Sequence, residues 1–339
     1  MTTEGIHKAR TVIVAMAAAT ALLVSGCSAS NTGGQEVGGG SSDKGSGDIA
    51  SKYADCQPGE GVKDTASMKI GADEDKKITI TKFAGWADGA ANAHLMKAIL
   101  DKAGYQTEVK TLDAAPAYTA VAQGNYDVIT DAELPSTHKA YINKYGDKLE
   151  PQGCWYDNPT IEIAVPTYSP AKSIGDLKTM AGKYNNEIIG IEDGAGETQT
   201  MQDSTIPKYG LQDLEFKTSS SAAMLRALDT AYKQKKNVAV TLWTPHWAYQ
   251  KYDLRKLEDP KKAMSAKEGL WDFTRTGFGK DHPLAAQLMH NMVLDEDQMV
   301  ELESVMVEKY GDKNPDKAVA EWLSKHPDFV DKVASGGFA

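Results

Sequence analysis

Two tryptophans stand where apolar runs give way to loops: Trp86 in "GWADGAAN" (85–92) and Trp243 in "LWTPHW" (242–247). An indole offers a large electron-rich face. A cation over such a face gains ~0.5–2 kcal/mol per ring, and quaternary ammonium groups, which have no hydrogen to donate, use this contact most. Beside Trp86, "DGAAN" opens a helical pattern. The backbone N–H groups at Gly89 and Ala90 would there form an anion site reinforced by the helix dipole. His246 adds a side-chain donor, and Glu133 in "DAELPSTH" (131–138) a carboxylate that can meet a cation directly. A cation box beside an anion site describes a pocket for a zwitterion or a cationic amine. Plainer roles stay open: core packing for either tryptophan, a turn hydrogen bond for His246, a solvated loop charge for Glu133. Trp155, Trp247, Trp271 and Trp322 read as packing or hinge residues.

The elements that must carry these loops can be read from periodicity. "KKITITKFAG" alternates and stops at glycine, as a strand does. "ANAHLMKAILDKAGY" puts Leu95, Met96, Ile99, Leu100 and Ala103 on one helical face, with Gly104 as its stop. "QTEVKTLD", "PAYTAVAQGN" (opened by Pro116) and "YDVITDAELP" complete a βαβαβ pattern, the signature of a largely parallel sheet. The pattern recurs in "NEIIGIEDGAG", "ETQTMQDSTIPKYG", "LEFKTS", "SSAAMLRALDTAYKQKKN" and "VAVTLWTP". An offset of 110 aligns Ile78 with Ile188, Glu133 with Trp243, and Pro135 with Pro245. The expectation is α/β with two similar lobes: 71–168, then 169–270, then helices over 271–339 that return to the first lobe without a further clear strand. "AVPTYSPAKSIGDLK" joins the lobes, Ser173 caps a short helix, and hinges fall near 165–170 and 270–277. In open parallel sheets ligands bind beyond the carboxyl ends of the strands. The loops 85–92, 131–138, 192–197 and 242–247 occupy that position and would meet at one cleft.

The N-terminus is an export signal. Lys8 and Arg10 precede the apolar run "TVIVAMAAATALLV", which is too short to span a bilayer comfortably. It ends in "LLVSGC", which resembles a bacterial lipobox, so residues 1–26 read as a cleaved signal and Cys27 as the lipidated first residue. Residues 27–70 read as a flexible Gly/Ser-rich tether. Cys56 and Cys154 remain, and an exported chain with two cysteines is read as one disulfide, with two free thiols as the alternative. A net charge of −10 argues against nucleic acid. Glu192, Asp193 and Glu197 could be read as acid–base carboxylates, but no nucleophile–base–orienter set, metal-ligand spacing or cofactor motif stands out, so the chain is not read as an enzyme.

From about residue 76 to 333 the chain resembles the substrate-binding proteins of glycine betaine and other quaternary-amine ABC importers. The matching stretches are "GWADGAAN", "DAELPSTHKAY", "AVPTY", "SIGDL", "EDGAGE" and above all "LWTPHWAYQKYDLRKLEDP". The resemblance implies a two-lobed periplasmic-binding-protein fold that closes on its ligand, a membrane permease and ATPase as partners, and an extracytoplasmic, lipid-anchored location. It implies Trp86 and Trp243 as box walls, with Gly89, Ala90 and His246 holding a carboxylate. One departure stands out: the third position of "DAELP" is usually tryptophan in the family and is Glu133 here. That shifts the expected ligand from simple glycine betaine towards choline, carnitine, a hydroxylated betaine or a less-methylated amine.

Overall fold

The computed structural model describes residues 48–338 except 73, 265, 266 and 312. The signal segment and Cys27 lie outside the described residues. Ten strands form two five-stranded sheets. The first sheet holds β1 (Lys77–Phe83), β2 (Gln106–Leu112), β3 (Val128–Leu134), β4 (Leu149–Tyr156) and β10 (Gly269–Arg275) in the order β2-β1-β3-β10-β4. The second holds β5 (Thr160–Pro166), β6 (Glu187–Ile189), β7 (Glu215–Lys217), β8 (Val240–Thr244) and β9 (Leu254–Lys256) in the order β7-β6-β8-β5-β9. β1, β2 and β3 run parallel, as do β6, β7 and β8. β10 then pairs antiparallel with β3, and β5 antiparallel with β8. The two sheets therefore share one topology. The 110-residue alignment survives to the prolines: Leu134–Pro135 and Thr244–Pro245 are both cis.

The exchanged strands correct three expectations. A strand, β10, does follow residue 268, and it sits in the middle of the first sheet. Its sequence "GLWDFTR" is buried on both faces, so it lacks the alternation that marks a half-buried strand. β5 belongs to the second sheet, so the crossings fall at 157–159 and 257–268, not at 165–170 and 270–277. Pro166 marks the end of β5, where the chain needs no further ladder donor. The first-lobe boundary thus moves from 168 to about the end of β4.

A further correction concerns the tether. Residues 48–70 pack against the first lobe: Ala50 is buried, and both the N–H and the hydroxyl of Thr65 donate to the Ala334 carbonyl. Cys56 is paired with Cys154 on β4, with Cα atoms 5.6 Å apart across 98 residues of chain. Closing a loop of that length contributes about 2–4 kcal/mol. Gly269 lies against this bridge, where a Cβ would sit 2.3 Å from that of Cys56.

Helix α1 (Ala87–Ala103) begins at Trp86 and stops at Gly104, whose φ of 106° favours glycine. Its buried Leu95, Met96, Ile99 and Leu100 share one core with Ile78 and Ile80 of β1 and with Trp322, Phe329 and Val333 from the C-terminal helices. Those helices, Pro283–Asn291, Glu296–Ser304, Pro315–Lys325 and Phe329–Ser335, follow the chain's return to the first lobe. Ser173 opens the short helix Ile174–Thr179, its N–H donating to Asp176.

Candidate functional site

The lobes touch along the cleft. Trp86 Nε1 donates to Glu192 Oε1 at 2.6 Å, Tyr141 Oη to the Gly194 carbonyl at 2.5 Å, and the Trp247 N–H to Glu303 Oε2 at 2.7 Å. Glu192 is fixed in turn by the N–H and hydroxyl of Ser221. Gly196 meets the Thr137 carbonyl so closely that a Cβ would lie 2.1 Å from it. Within this closed cleft is a cavity lined by Trp86, Asp88, Asp131, Glu133, Thr137, His138, Ile161, Ile191, Glu197 and Trp243.

Three of the expected residues thus come together. The Trp86 and Trp243 rings are 6.0 Å apart at 49°, two walls of a wedge. Phe83 meets Trp86 edge-on at 4.8 Å, and His138 stacks on it at 5.6 Å and 9°. Glu133 stands on the fully buried strand β3. Its own N–H donates to His138 Nδ1, so the proton of this neutral imidazole is on Nε2, which has no partner. Burial holds His138 down to about 3. Glu268, from the second crossing, accepts from the Ser136 and Thr137 N–H groups and fixes the loop.

The anion half of the expected pocket is arranged otherwise. The Ala90 N–H donates to the Trp86 carbonyl as the first bond of α1, so it is not free. Gly89 faces Asp131, whose Oδ2 would be 2.8 Å from a Cβ there. Asp88, at the second position of the helix, brings its own carboxylate to the N-terminal N–H groups, including that of Gly89. His246 sits behind Trp243, edge-on at 4.7 Å, with Nδ1 accepting from the Ala248 N–H and the ring stacked on Trp247. It does not line the cavity.

Sequence reasoning missed Asp88, Asp131 and Glu197 as cavity residues, and His138 with them. Asp131 has φ 71°, beside a register shift between β3 and β10, the kind of irregularity that re-aims a side chain. Burial, reinforced by neighbouring acids, pushes Asp131, Glu133 and Glu197 well above the usual carboxylate range. Burial likewise raises Asp88 to about 7, partly offset by the Gly89 N–H. Each of these acids falls within a stretch already singled out by position, but Glu192 and Asp193 do too, so position alone did not separate the cavity acids from the others.

Residues 76–325 match the family model OpuAC, the substrate-binding domain of ABC-type glycine betaine transport systems. The glycine betaine/carnitine transport binding protein GbuC of Listeria monocytogenes is 36% identical over 161 residues, 47% of this chain and 52% of that protein. The chain thus matches about half the length of that curated relative. Lactococcal OpuAC, solved closed with glycine betaine, is 33% identical with a TM-score of 0.70, covering 76% of this chain and 99% of that one. The glycine betaine/L-proline-binding protein ProX of Borrelia burgdorferi is 27% identical with a TM-score of 0.71, covering 77% and 99%. The fold is that of two-lobed periplasmic binding proteins, and the chain belongs to the family of substrate-binding domains of ABC-type glycine betaine transport systems.

Proposed function

We propose that this protein captures a small organic ammonium compound outside the cytoplasm and delivers it to the permease and ATPase of an ABC importer. The observation that carries the reading is the wedge of Trp86 and Trp243 beside Glu133, formed where the strand ends and helix start of two lobes in contact face each other. The indole faces attract the cationic nitrogen, Glu133 supplies counter-charge, and closure removes water from both. Glycine betaine and carnitine, named for the relatives, set the first ligands to test. A cation such as choline suits the site better than a zwitterion, because Asp88 already takes the helix N-terminus that a ligand carboxylate would need. Calorimetric titration with glycine betaine, carnitine and choline tests this. Binding of none of them, nor of any other amine, would refute it.

Anchoring belongs to the same proposal. Cys27 follows a lipobox-like "LLVSG" and precedes a Gly/Ser-rich segment. Among the described residues no helix is long and apolar enough to cross a membrane. Cys27→Ala should move the protein from the membrane fraction to the soluble extracytoplasmic fraction. A variant that stays with the membrane would end the idea.

A further inference from the structure

We infer that the preferred solute is a guanidinium-type cation, carrying several N–H donors and no carboxylate of its own. This rests on the cleft being the solute site and departs from the fully methylated ligands named for the relatives. Asp88 Oδ1, Asp131 Oδ1, Glu133 Oε1 and both oxygens of Glu197 make no hydrogen bond of ordinary geometry, with only Trp243 and Thr241 approaching Asp88 and Glu197, and the four acids line a single cavity. None of the four is more than 8% exposed. No lysine or arginine is among the lining residues. A buried acceptor left unsatisfied costs the full desolvation of that group, so a closed site of this kind requires donors from its occupant. A quaternary ammonium has none, and choline has a single hydroxyl. A ligand carboxylate would add a further anion to the cluster.

The aromatic walls narrow the cation further. A guanidinium is planar, with apolar faces that stack on indoles and five N–H donors in its plane. Lying against Trp86 or Trp243, it would keep every donor for the carboxylates at its edge, where fork geometry allows paired bonds to one carboxylate. A compact ammonium cannot use a ring face and several carboxylates in this way. A metal ion is the other cation that acids could hold. Among the described residues, however, no group of three or more His, Cys, Asp or Glu is arranged to hold one. Of the lining side chains, His138 Nε2 has no partner and the Trp243 indole approaches Asp88, too few donors to satisfy the acids between them.

The cation also displaces protons. The acids at the cavity are Asp88 from α1, Asp131 and Glu133 from β3, and Glu197 beyond β6, while Glu162, Glu268, Asp272 and Glu303 stand close enough to oppose their ionisation. His138 stays neutral and takes no part. An entering cation favours the charged carboxylates, so protons leave as it binds.

Calorimetry on the full-length protein tests this with methylguanidine, agmatine, choline and glycine betaine, in two buffers of different ionisation enthalpy. We expect at least one guanidinium probe to bind 10-fold or more tightly than choline and 100-fold or more tightly than glycine betaine, with net proton release. Glu197→Gln and Glu133→Gln, each checked for an intact melting transition, should lower guanidinium affinity at least 10-fold, and by a larger factor than they lower choline affinity. If choline or glycine betaine binds more tightly than both guanidinium probes, the inference falls and the proposed function stands. If guanidinium binding releases no protons, the acids do not ionise to meet the cation and the inference falls. If none of the four binds, both readings fall.

Discussion

Trp86, Glu133 and Trp243 could be singled out from sequence because residues at or just beyond the carboxyl end of an apolar strand have few places to go except the cleft. Asp88, Asp131 and Glu197 could not, since in sequence a buried acid looks like any surface charge. What buries them is tertiary: a bulged central strand and a facing lobe. His246 reads in sequence as a side-chain donor on its loop, but the turn bends its ring behind Trp243, while His138 lines the cavity. Trp86→Ala and Trp243→Ala should each weaken solute binding by about 1–3 kcal/mol, through lost ring contact and lost exclusion of water. Tryptophan fluorescence titration reads this, and unchanged affinity in both variants would return the rings to plain packing. Glu133 separates two roles. If it is a counter-charge, Glu133→Gln should weaken a cationic solute about 10-fold or more, while Glu133→Trp should raise the preference for glycine betaine. Equal affinities in wild type and both variants would make it a bystander.

At the scale of elements, the repeated βαβαβ pattern was legible because each parallel unit carries its own helix and turn signals. The exchanged strands β5 and β10 were not. Each is a strand inserted antiparallel into its sheet, and that placement is set by which neighbour pairs with it. One consequence is that Gly196, opening the helix Gly196–Thr200 of the second lobe, meets the Thr137 carbonyl of the first. The contact exists only when the lobes are together. Gly196→Ala places a methyl 2.1 Å from that oxygen, and neither backbone can yield without parting the lobes. We expect at least a 10-fold loss of solute affinity with little change in melting temperature of the ligand-free protein. Small-angle scattering should show a radius of gyration that no longer contracts on adding solute. Normal affinity and normal contraction would mean that the loops adjust locally.

For the whole molecule, the distribution of buried charge predicts how stability varies with pH. Burial raises Asp88 and Asp272 to about 7, and Asp131, Glu133, Glu197 and Glu303 further above the ordinary range. An acid whose folded value is raised binds more protons in the folded than in the unfolded chain. Its stabilisation is full below the unfolded value, near 4, and is lost as pH rises through the folded value. The buried histidines act in the opposite sense. His138 and His246 are held down to about 3, so their contribution is full above the unfolded value near 6.5 and fades as pH falls below it. The two effects compete between pH 4 and 6.5, but above pH 7 the histidines are neutral in both states and the raised acids act alone. The melting temperature of the ligand-free protein should therefore fall between pH 7 and pH 9, and Glu133→Gln should make that fall shallower. A bound cation should flatten it as well, by supplying the charge that the ionised carboxylates lack. A ligand-free melting temperature that is level or rising from pH 7 to pH 9 would overturn this. It would show that the lobes part in solution and let water reach the acids, so that closure, and the cost of burying these carboxylates, falls on the binding step.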